Sequence, residues 1–193
     1  MLRIIAGEYR TRQLISPDES EDSRPYLNRV KESVFSLLRG WFDGTSVLDL
    51  FVGVGTVGLE AVSRGAARVV MIERSRALFE TLQQNIEALG CGDRAQAIAG
   101  DALLPSTLMH IAGPFDLVFI DPPFSMMEDE SQRARVLEQA ARCRGLMGEK
   151  GFVILRSPIG RREASFSIPG FAGPEEHQYG HRMSVMLYSP KPV

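Results

Sequence analysis

The sequence predicts an α/β fold built on a doubly wound, mostly parallel sheet, and three observations carry that prediction. Apolar runs of strand length fall near 46–51, 68–72, 95–99, 115–120 and 151–156, separated by helical patterning near 56–64, 75–89, 102–109 and 129–144. The first of these runs ends in Gly53-Val54-Gly55-Thr56-Val57-Gly58, a glycine-rich turn of the kind that joins a strand to a helix. The fourth, Phe115 to Ile120, ends in Asp121-Pro122-Pro123-Phe124, where two prolines cannot continue a strand's hydrogen-bond ladder and must turn the chain stiffly. Strand–helix alternation implies parallel strands with helices on both faces.

Taken in order, residues 2–15 read as a small β-hairpin, followed by a linker through Ser23 and a helix from about Pro25 to Arg39. Proline suits a first helical turn because its missing N–H is unsatisfied there in any case. Residues 1–39 thus form an N-terminal hairpin-helix extension to a single domain that spans 1–193. In the core, the helix after the glycine turn stops at Gly65, and Ala67 to Ile72 is a strand closing on Glu73. From Gly160 onward no helix is evident, and Met183 to Tyr188 suits an added antiparallel strand. A chain of 193 residues buries roughly 70% of the surface its unfolded form exposes, enough for one ordinary domain.

Composition excludes several classes. The formal net charge is −2, so any nucleic-acid contact must come from local charge. There is no signal peptide, no apolar run of spanning length and no repeat, which points to a soluble cytoplasmic protein with no membrane partner. Cys91 and Cys143 lack metal-ligand spacing and are expected to be reduced and inert. His110, His177 and His181 are too scattered for a metal site or a triad, so no metal is expected.

The chemistry sits at the strand ends. Both the Asp121 carboxylate and the Pro122 carbonyl accept hydrogen bonds, and the Phe124 ring offers an apolar face to a flat heterocycle, a set that suits a planar amine. The bland alternative is a surface turn that merely ends a strand. The spacing G-x-G-x-x-G, with Glu73 about 20 residues on, is the dinucleotide fingerprint taken literally, which makes a nicotinamide cofactor the first rival. Against it stands Asp49, inside the strand before the glycines: a carboxylate there repels a diphosphate and attracts an ammonium. S-adenosylmethionine carries an amino-acid head and adenosine, and no phosphate. Asp49 also reads as a loop-bracing acid. Glu73 is placed to accept from ribose hydroxyls. Asp101 follows the strand 95–99 and reads either as an acceptor from the adenine amino group or as an acid opening the next helical segment. All four acids, Asp49, Glu73, Asp101 and Asp121, are expected on one rim of the sheet, beyond the carboxyl ends of the strands.

These motifs, from Asp49 through Ala61 with Glu73, Asp101 and Asp121 to Phe124, resemble those of class I methyltransferases that act on amino groups. The N-terminal segments Arg3 to Arg10, Arg24-Pro25 and Asn28 to Phe35, with Gln178-Tyr179-Gly180 near the end, narrow the resemblance to the RsmD family of bacterial 16S rRNA guanine-N2 methyltransferases. The resemblance implies a Rossmann-like sheet with an antiparallel C-terminal strand and S-adenosyl-L-methionine held by Asp49, Phe51, Gly53, Gly55, Glu73 and Asp101. It implies Asp121, Pro122 and Phe124 at the reacting amine, and 16S rRNA within the small ribosomal subunit or an assembly intermediate as partner. Two departures stand out: Tyr26-Leu27-Asn28 replaces a Thr-Thr-Asp stretch, and Arg156 lies on a strand where the family has an acidic pair of the Val-Glu type, putting a cation near the site mouth.

The densest basic group is Arg3, Arg10 and Arg12 on the hairpin with Arg24, Arg29 and Lys31 on or before the first helix, the expected RNA face. The ordinary reading of any one of them is a solvated cation balancing nearby acids, including the acidic stretch 18–22. Two other activities stay open at this stage. DNA adenine-N6 methyltransferases use a very similar Asp-Pro-Pro-aromatic turn, although so short a chain shows no target-recognition domain. An NAD-dependent oxidoreductase needs a hydride-transfer acid or base, and none is obvious.

Overall fold

The computed structural model describes residues 2–17, 28–180 and 183–192, together with their side chains except those of 28 and 29. The fold is mixed α/β with seven strands, mostly parallel and antiparallel at the C-terminal end. The chain divides into two compact units, Met1–Gly100 and Asp101–Val193.

In the first unit the described elements are α1 (Asn28–Leu37), β1 (Ser46–Leu50), α2 (Gly58–Ser63), β2 (Arg68–Glu73), α3 (Arg76–Leu89) and β3 (Ala95–Ala99). β1 and β3 flank β2, all parallel, with Leu48 opposite Val70 and Ile72 opposite Ile98. Val47, Leu48 and Leu50 of β1 and Val69 to Ile72 of β2 are completely buried, as continuous apolar strands with both faces covered must be. α3 is a well-signalled helix. The Ser75 hydroxyl accepts from the Leu78 N–H at its start, Gly90 adopts φ +68° at its end, and Leu82, Asn85, Ile86 and Leu89 make its buried stripe. The helix expected from Pro25 is seen from Asn28; the region 18–27, with Arg24, the acidic stretch and most of the Tyr26-Leu27-Asn28 departure, lies outside the described residues.

The expected hairpin at 2–15 is reduced to one antiparallel bridge between Arg3 and Gln13, tightened by Ile4 N–H donating to the Arg12 carbonyl and Leu14 N–H to the Leu2 carbonyl. What holds this arm is its docking on α2 and α3. The wholly buried Glu60 carboxylate accepts from the Ile5 N–H at 2.7 Å and the Ala6 N–H at 3.0 Å, and pairs with Arg64 at 2.8 Å and Lys31 at 3.4 Å. The Ser63 hydroxyl donates to the Ala6 carbonyl and accepts from the Tyr9 N–H, while Glu8 N–H donates to the Ser63 carbonyl. Gly7 lies so close that a Cβ there would collide with that same Ser63 carbonyl oxygen. Asn85 then holds both the N–H and the carbonyl of Ile15.

In the second unit the elements are α4 (Pro105–Met109), β4 (Phe115–Ile120), α5 (Phe124–Glu128), α6 (Glu130–Arg142), a 3₁₀ turn (Cys143–Leu146), β5 (Met147–Ser157), β6 (Phe171–Gln178) and β7 (Ser184–Pro190). β4 runs parallel to β5, β5 antiparallel to β7, and β7 antiparallel to β6. The added antiparallel strand is therefore a pair: β6 escapes the sequence reading because Gly173 and Pro174 interrupt its apolar alternation. α5 escapes it too, since a five-residue helix gives no period to read. Tyr188 is buried in β7 and its hydroxyl donates to the Phe166 carbonyl at 2.9 Å, which satisfies the one polar atom it brings inside. Both cysteines are free and buried, and burial pushes the Cys143 thiol up to about 12, which keeps it from acting as a nucleophile at neutral pH. No described helix is long and apolar enough to cross a membrane.

Replacing Glu60 by Ala should cost about 3–5 kcal/mol, because the buried Lys31 ammonium and two backbone N–H groups would lose their acceptor together. Urea denaturation measures it. A loss under about 1 kcal/mol would show that the arm is held by other contacts.

Candidate active site

In the first unit the glycine turn leaves β1 through two unusual backbone positions. Phe51 has φ +64° and Gly53 φ +61°, the left-handed region that a bulky aromatic residue enters only at a cost of about 1–3 kcal/mol. The Glu73 carboxylate at the end of β2 stabilises this path: its Oε2 accepts from the Gly53 N–H at 2.8 Å and its Oε1 from the Ser75 N–H at 2.7 Å. A Cβ on Gly53 would meet nothing within 4 Å, so that side of the turn is open to a ligand. Gly55 is different. At φ +94° its Cβ position lies 2.6 Å from Leu82 Cδ1 and 2.8 Å from Leu59 Cδ1, so its role is close packing under the loop.

Asp49 is 1% exposed, and its Oδ2 accepts from the Gly58 N–H at 2.9 Å at the start of α2. The loop-bracing bond expected of Asp49 is thus present. Gly58 in turn sits tight against β2, its Cβ position 2.5 Å from Met71 Sδ. Asn85 closes the arrangement from α3 by donating to the Val54 carbonyl at 2.9 Å, so one amide ties the N-terminal arm and the glycine turn together.

In the second unit Asp101 is half-buried and its Oδ1 accepts from the Leu103 N–H at 2.9 Å, the local turn that opens the segment before α4. β4 delivers Asp121 at its carboxyl end, and Pro122-Pro123 carry the chain directly into α5, whose first residue is Phe124. The turn is thus braced by a helix rather than left as a loose surface loop. Arg156 on β5 meets it: its Nε donates to Asp121 Oδ1 in a charge-assisted bond, and its guanidinium carbon stands 4.9 Å from the Phe124 ring centroid. Burial pushes the Asp121 carboxyl up from the usual carboxylate range, and the Arg156 charge and hydrogen bond pull against that rise.

The expected RNA face changes in one member. Lys31 is 2% exposed, donates to the Arg3 carbonyl at 3.1 Å and pairs with Glu60, so it offers no charge to a phosphate. Burial pulls its ammonium below the ordinary lysine range, against the raising effect of Glu60. Its position beside Arg29 in sequence suggests a surface cation; the helix turns it inward because the arm covers that face. Arg3, Arg10 and Arg12 are exposed, with Arg12 also donating to the Ala88 carbonyl at 2.7 Å. Arg24 and the Arg29 side chain lie outside the described residues. Among the described residues no group of three or more His, Cys, Asp or Glu is arranged to hold a metal ion.

Sequence reasoning missed Glu60 and Ser63 as the supports of the N-terminal arm, and Asn85 as the link between the arm and the turn. Two of them left a signal: Glu60 interrupts an otherwise apolar helix, and Asn85 falls on the apolar stripe of α3 at helical spacing. It also missed that Arg156 faces Asp121, although its opposite charge at the end of the neighbouring strand is a signal in itself.

This is the fold of class I methyltransferases. The structure of Escherichia coli yhhF, itself assigned only provisionally as a methyltransferase, superposes with a TM-score of 0.82 at 29% identity, covering 98% of each chain. A hypothetical protein from Thermus thermophilus superposes with a TM-score of 0.74 at 26% identity, covering 98% of this chain and 99% of that one. The family described as Conserved hypothetical protein 95 matches residues 2–188, and the chain belongs to it, the RsmD family. Ribosomal RNA small subunit methyltransferase D of Escherichia coli (strain K12) is 40% identical over 123 residues, 64% of this chain and 60% of that relative's length. The protein of the same name from Haemophilus influenzae is 36% identical over 128 residues, 64% of each. The matched segments therefore span less than two thirds of these relatives.

Replacing Glu73 by Ala should cost about 1–3 kcal/mol, since two backbone N–H groups lose a charged acceptor. It should also weaken S-adenosylhomocysteine binding in calorimetry, while an unchanged affinity would remove Glu73 from the cofactor set.

Proposed function

We propose that the chain transfers a methyl group from S-adenosylmethionine to the exocyclic N2 of a guanine in bacterial 16S rRNA, within the small subunit or an assembly intermediate. Its two units are taken to work as one catalytic domain extended by residues 1–39. The observation that carries the reading is the Asp121 turn, where a half-buried carboxylate and an aromatic ring are held together at a strand end in a chain of the RsmD family. The relatives' name supplies the small-subunit rRNA as substrate class.

The residues of the first unit fit the cofactor. The open side of Gly53 admits a ligand to the backbone, and the Glu73 carboxylate has about four lone-pair sites, of which the Gly53 and Ser75 N–H groups use two. The rest suit ribose hydroxyls. The buried Asp49 charge beneath the turn favours an ammonium by electrostatic attraction, and the strained Phe51 sets the direction in which the chain leaves β1. Asp101, which opens the second unit, keeps acceptor capacity for an adenine amino group beyond its bond to Leu103. When bound, S-adenosylmethionine supplies an electrophilic methyl group on a sulfonium.

The chain's own task is to make a poor nucleophile act. The guanine N2 lone pair is delocalised into the ring, and a carboxylate with an ordinary value of about 3.9 cannot deprotonate it beforehand. Asp121 and the Pro122 carbonyl accept from its two N–H groups, favour a pyramidal nitrogen and stabilise the positive charge that grows during attack. The methylated nitrogen, now strongly acidic, then gives its proton through the Asp121 carboxylate to water, and S-adenosylhomocysteine would be the leaving group. Phe124 stacks on the base, which must be taken out of its helix to reach the turn. Arg3, Arg10 and Arg12 supply phosphate contacts.

The deciding experiment incubates the protein with labelled S-adenosylmethionine and unmodified small-subunit particles, free rRNA or DNA, then identifies the methylated nucleoside by mass spectrometry. N2-methylguanosine is expected. Label in DNA as N6-methyladenine would replace this reading with the DNA one, and stabilisation by NAD rather than S-adenosylhomocysteine in a thermal-shift comparison would end both. Asp121→Ala should lower turnover by about 10²-fold or more with cofactor affinity unchanged. Removing the charges of Arg3, Arg10 and Arg12 should flatten the salt dependence of RNA binding by a slope of up to about 3, and an unaltered slope would place the RNA elsewhere.

A further inference from the structure

Arg156 of β5 lies against the Asp121 turn, and the proposed chemistry has so far given it no part. Its place follows from register. Ile120 of β4 pairs with Leu155 of β5 in parallel, so Asp121 and Arg156 leave adjacent strands side by side. One guanidinium touches both groups assigned to the reacting base: Nε donates to Asp121 Oδ1, and the guanidinium carbon lies 4.9 Å from the Phe124 centroid. Exposure is graded across the pair, 7% for the Arg156 side chain and 16% for Asp121. Both side chains are mostly shielded, and the carboxylate is the more accessible of the two.

We propose that Arg156 is a positioning residue that holds the Asp121 carboxylate ionised and fixed against Phe124 so that carboxylate and ring present themselves to the amine as one rigid acceptor. The proposal rests on the reading of Asp121 as the acceptor for the reacting amine. A buried carboxylate without a cation tends to protonate, and a protonated Asp121 would offer the amine a donor where an acceptor is needed. A lysine in the same place would supply the charge without the planar fork that bonds a carboxylate in one direction and stacks on a ring.

Other charged groups of the second unit have partners of their own. Arg133 on α6 donates to the Met127 carbonyl at 2.8 Å, Asp129 caps α6 through the Gln132 N–H at 2.8 Å, and Glu176 on β6 accepts from the Ser184 hydroxyl at 2.7 Å. Glu128 at the end of α5 is exposed. Among the described residues the charge acting on Asp121 is that of Arg156, opposing the effect of burial.

The test combines carboxyl-carbon NMR titration of the full chain, with the Asp121 signal assigned from Asp121→Asn, and the pH profile of methyl transfer to unmodified small-subunit particles. In Arg156→Gln the Asp121 midpoint should rise by about one pH unit or more. Sign fixes the kinetics: the acid limb of the rate moves up with the midpoint, so transfer falls by about tenfold at pH values below both midpoints and recovers as the pH is raised. S-adenosylhomocysteine affinity should stay unchanged. A folded Arg156→Gln whose midpoint does not move, or whose rate falls equally at every pH, would overturn the proposal. Should that variant not fold, Arg156→Lys decides: the wild-type midpoint with a rate lowered about tenfold supports the proposal, and a wild-type rate overturns it. The titration does not depend on turnover, so absence of transfer by the wild type on any nucleic acid sinks the methyltransferase reading by a separate result.

Discussion

The Glu60 carboxylate is the fixed point of the first unit. It sits wholly inside α2 and gathers the Ile5 and Ala6 N–H groups, Lys31 of α1 and Arg64 of its own helix. Taking a carboxylate and an ammonium out of water is expensive, and the pair persists because further hydrogen bonds satisfy the remaining lone pairs. The consequence is positional. An arm whose own pairing amounts to one bridge acquires a defined course over α2, which the Ser63 hydroxyl and the close approach of Gly7 then lock.

Order passes from that anchor to the ligand-facing turn by the same means. Asn85 commits its carbonyl oxygen and amide to Ile15 of the arm and to Val54 of the turn. Asp49 and Glu73, from consecutive strands, each hold a glycine N–H of the turn. Buried polar groups that are fully satisfied rigidify what they touch, and here they hold Phe51 and Gly53 in backbone conformations that the chain would otherwise leave. Acids in such a site thus do two jobs: they shape the turn, and they set the sign of charge it offers to a ligand.

The second unit solves its problem with a single ion pair. β4 ends on a half-buried carboxylate, two prolines force the chain into α5, and Arg156 from β5 fills the space against both Asp121 and Phe124. The register of β4 and β5 that brings Asp121 and Arg156 together is carried by apolar pairs such as Val118 with Val153.

The sequence by itself determined the strands, because buried parallel strands are continuous apolar runs: β1, β2, β3 and β4 fall within a residue or so of their expected bounds. It determined the chemistry of the turns as well, since glycines and prolines act on their own backbone whatever surrounds them. β6 and α5 were illegible for the converse reason, one broken by Gly173-Pro174 and the other too short to show a period. Only the tertiary structure decided what each charged side chain does. Lys31 turned from a surface cation into a buried partner of Glu60, Asp49 found the Gly58 N–H, and Arg156 found Asp121. A charge is read by the groups within a few ångströms of it, and those come from distant parts of the chain that no local pattern records.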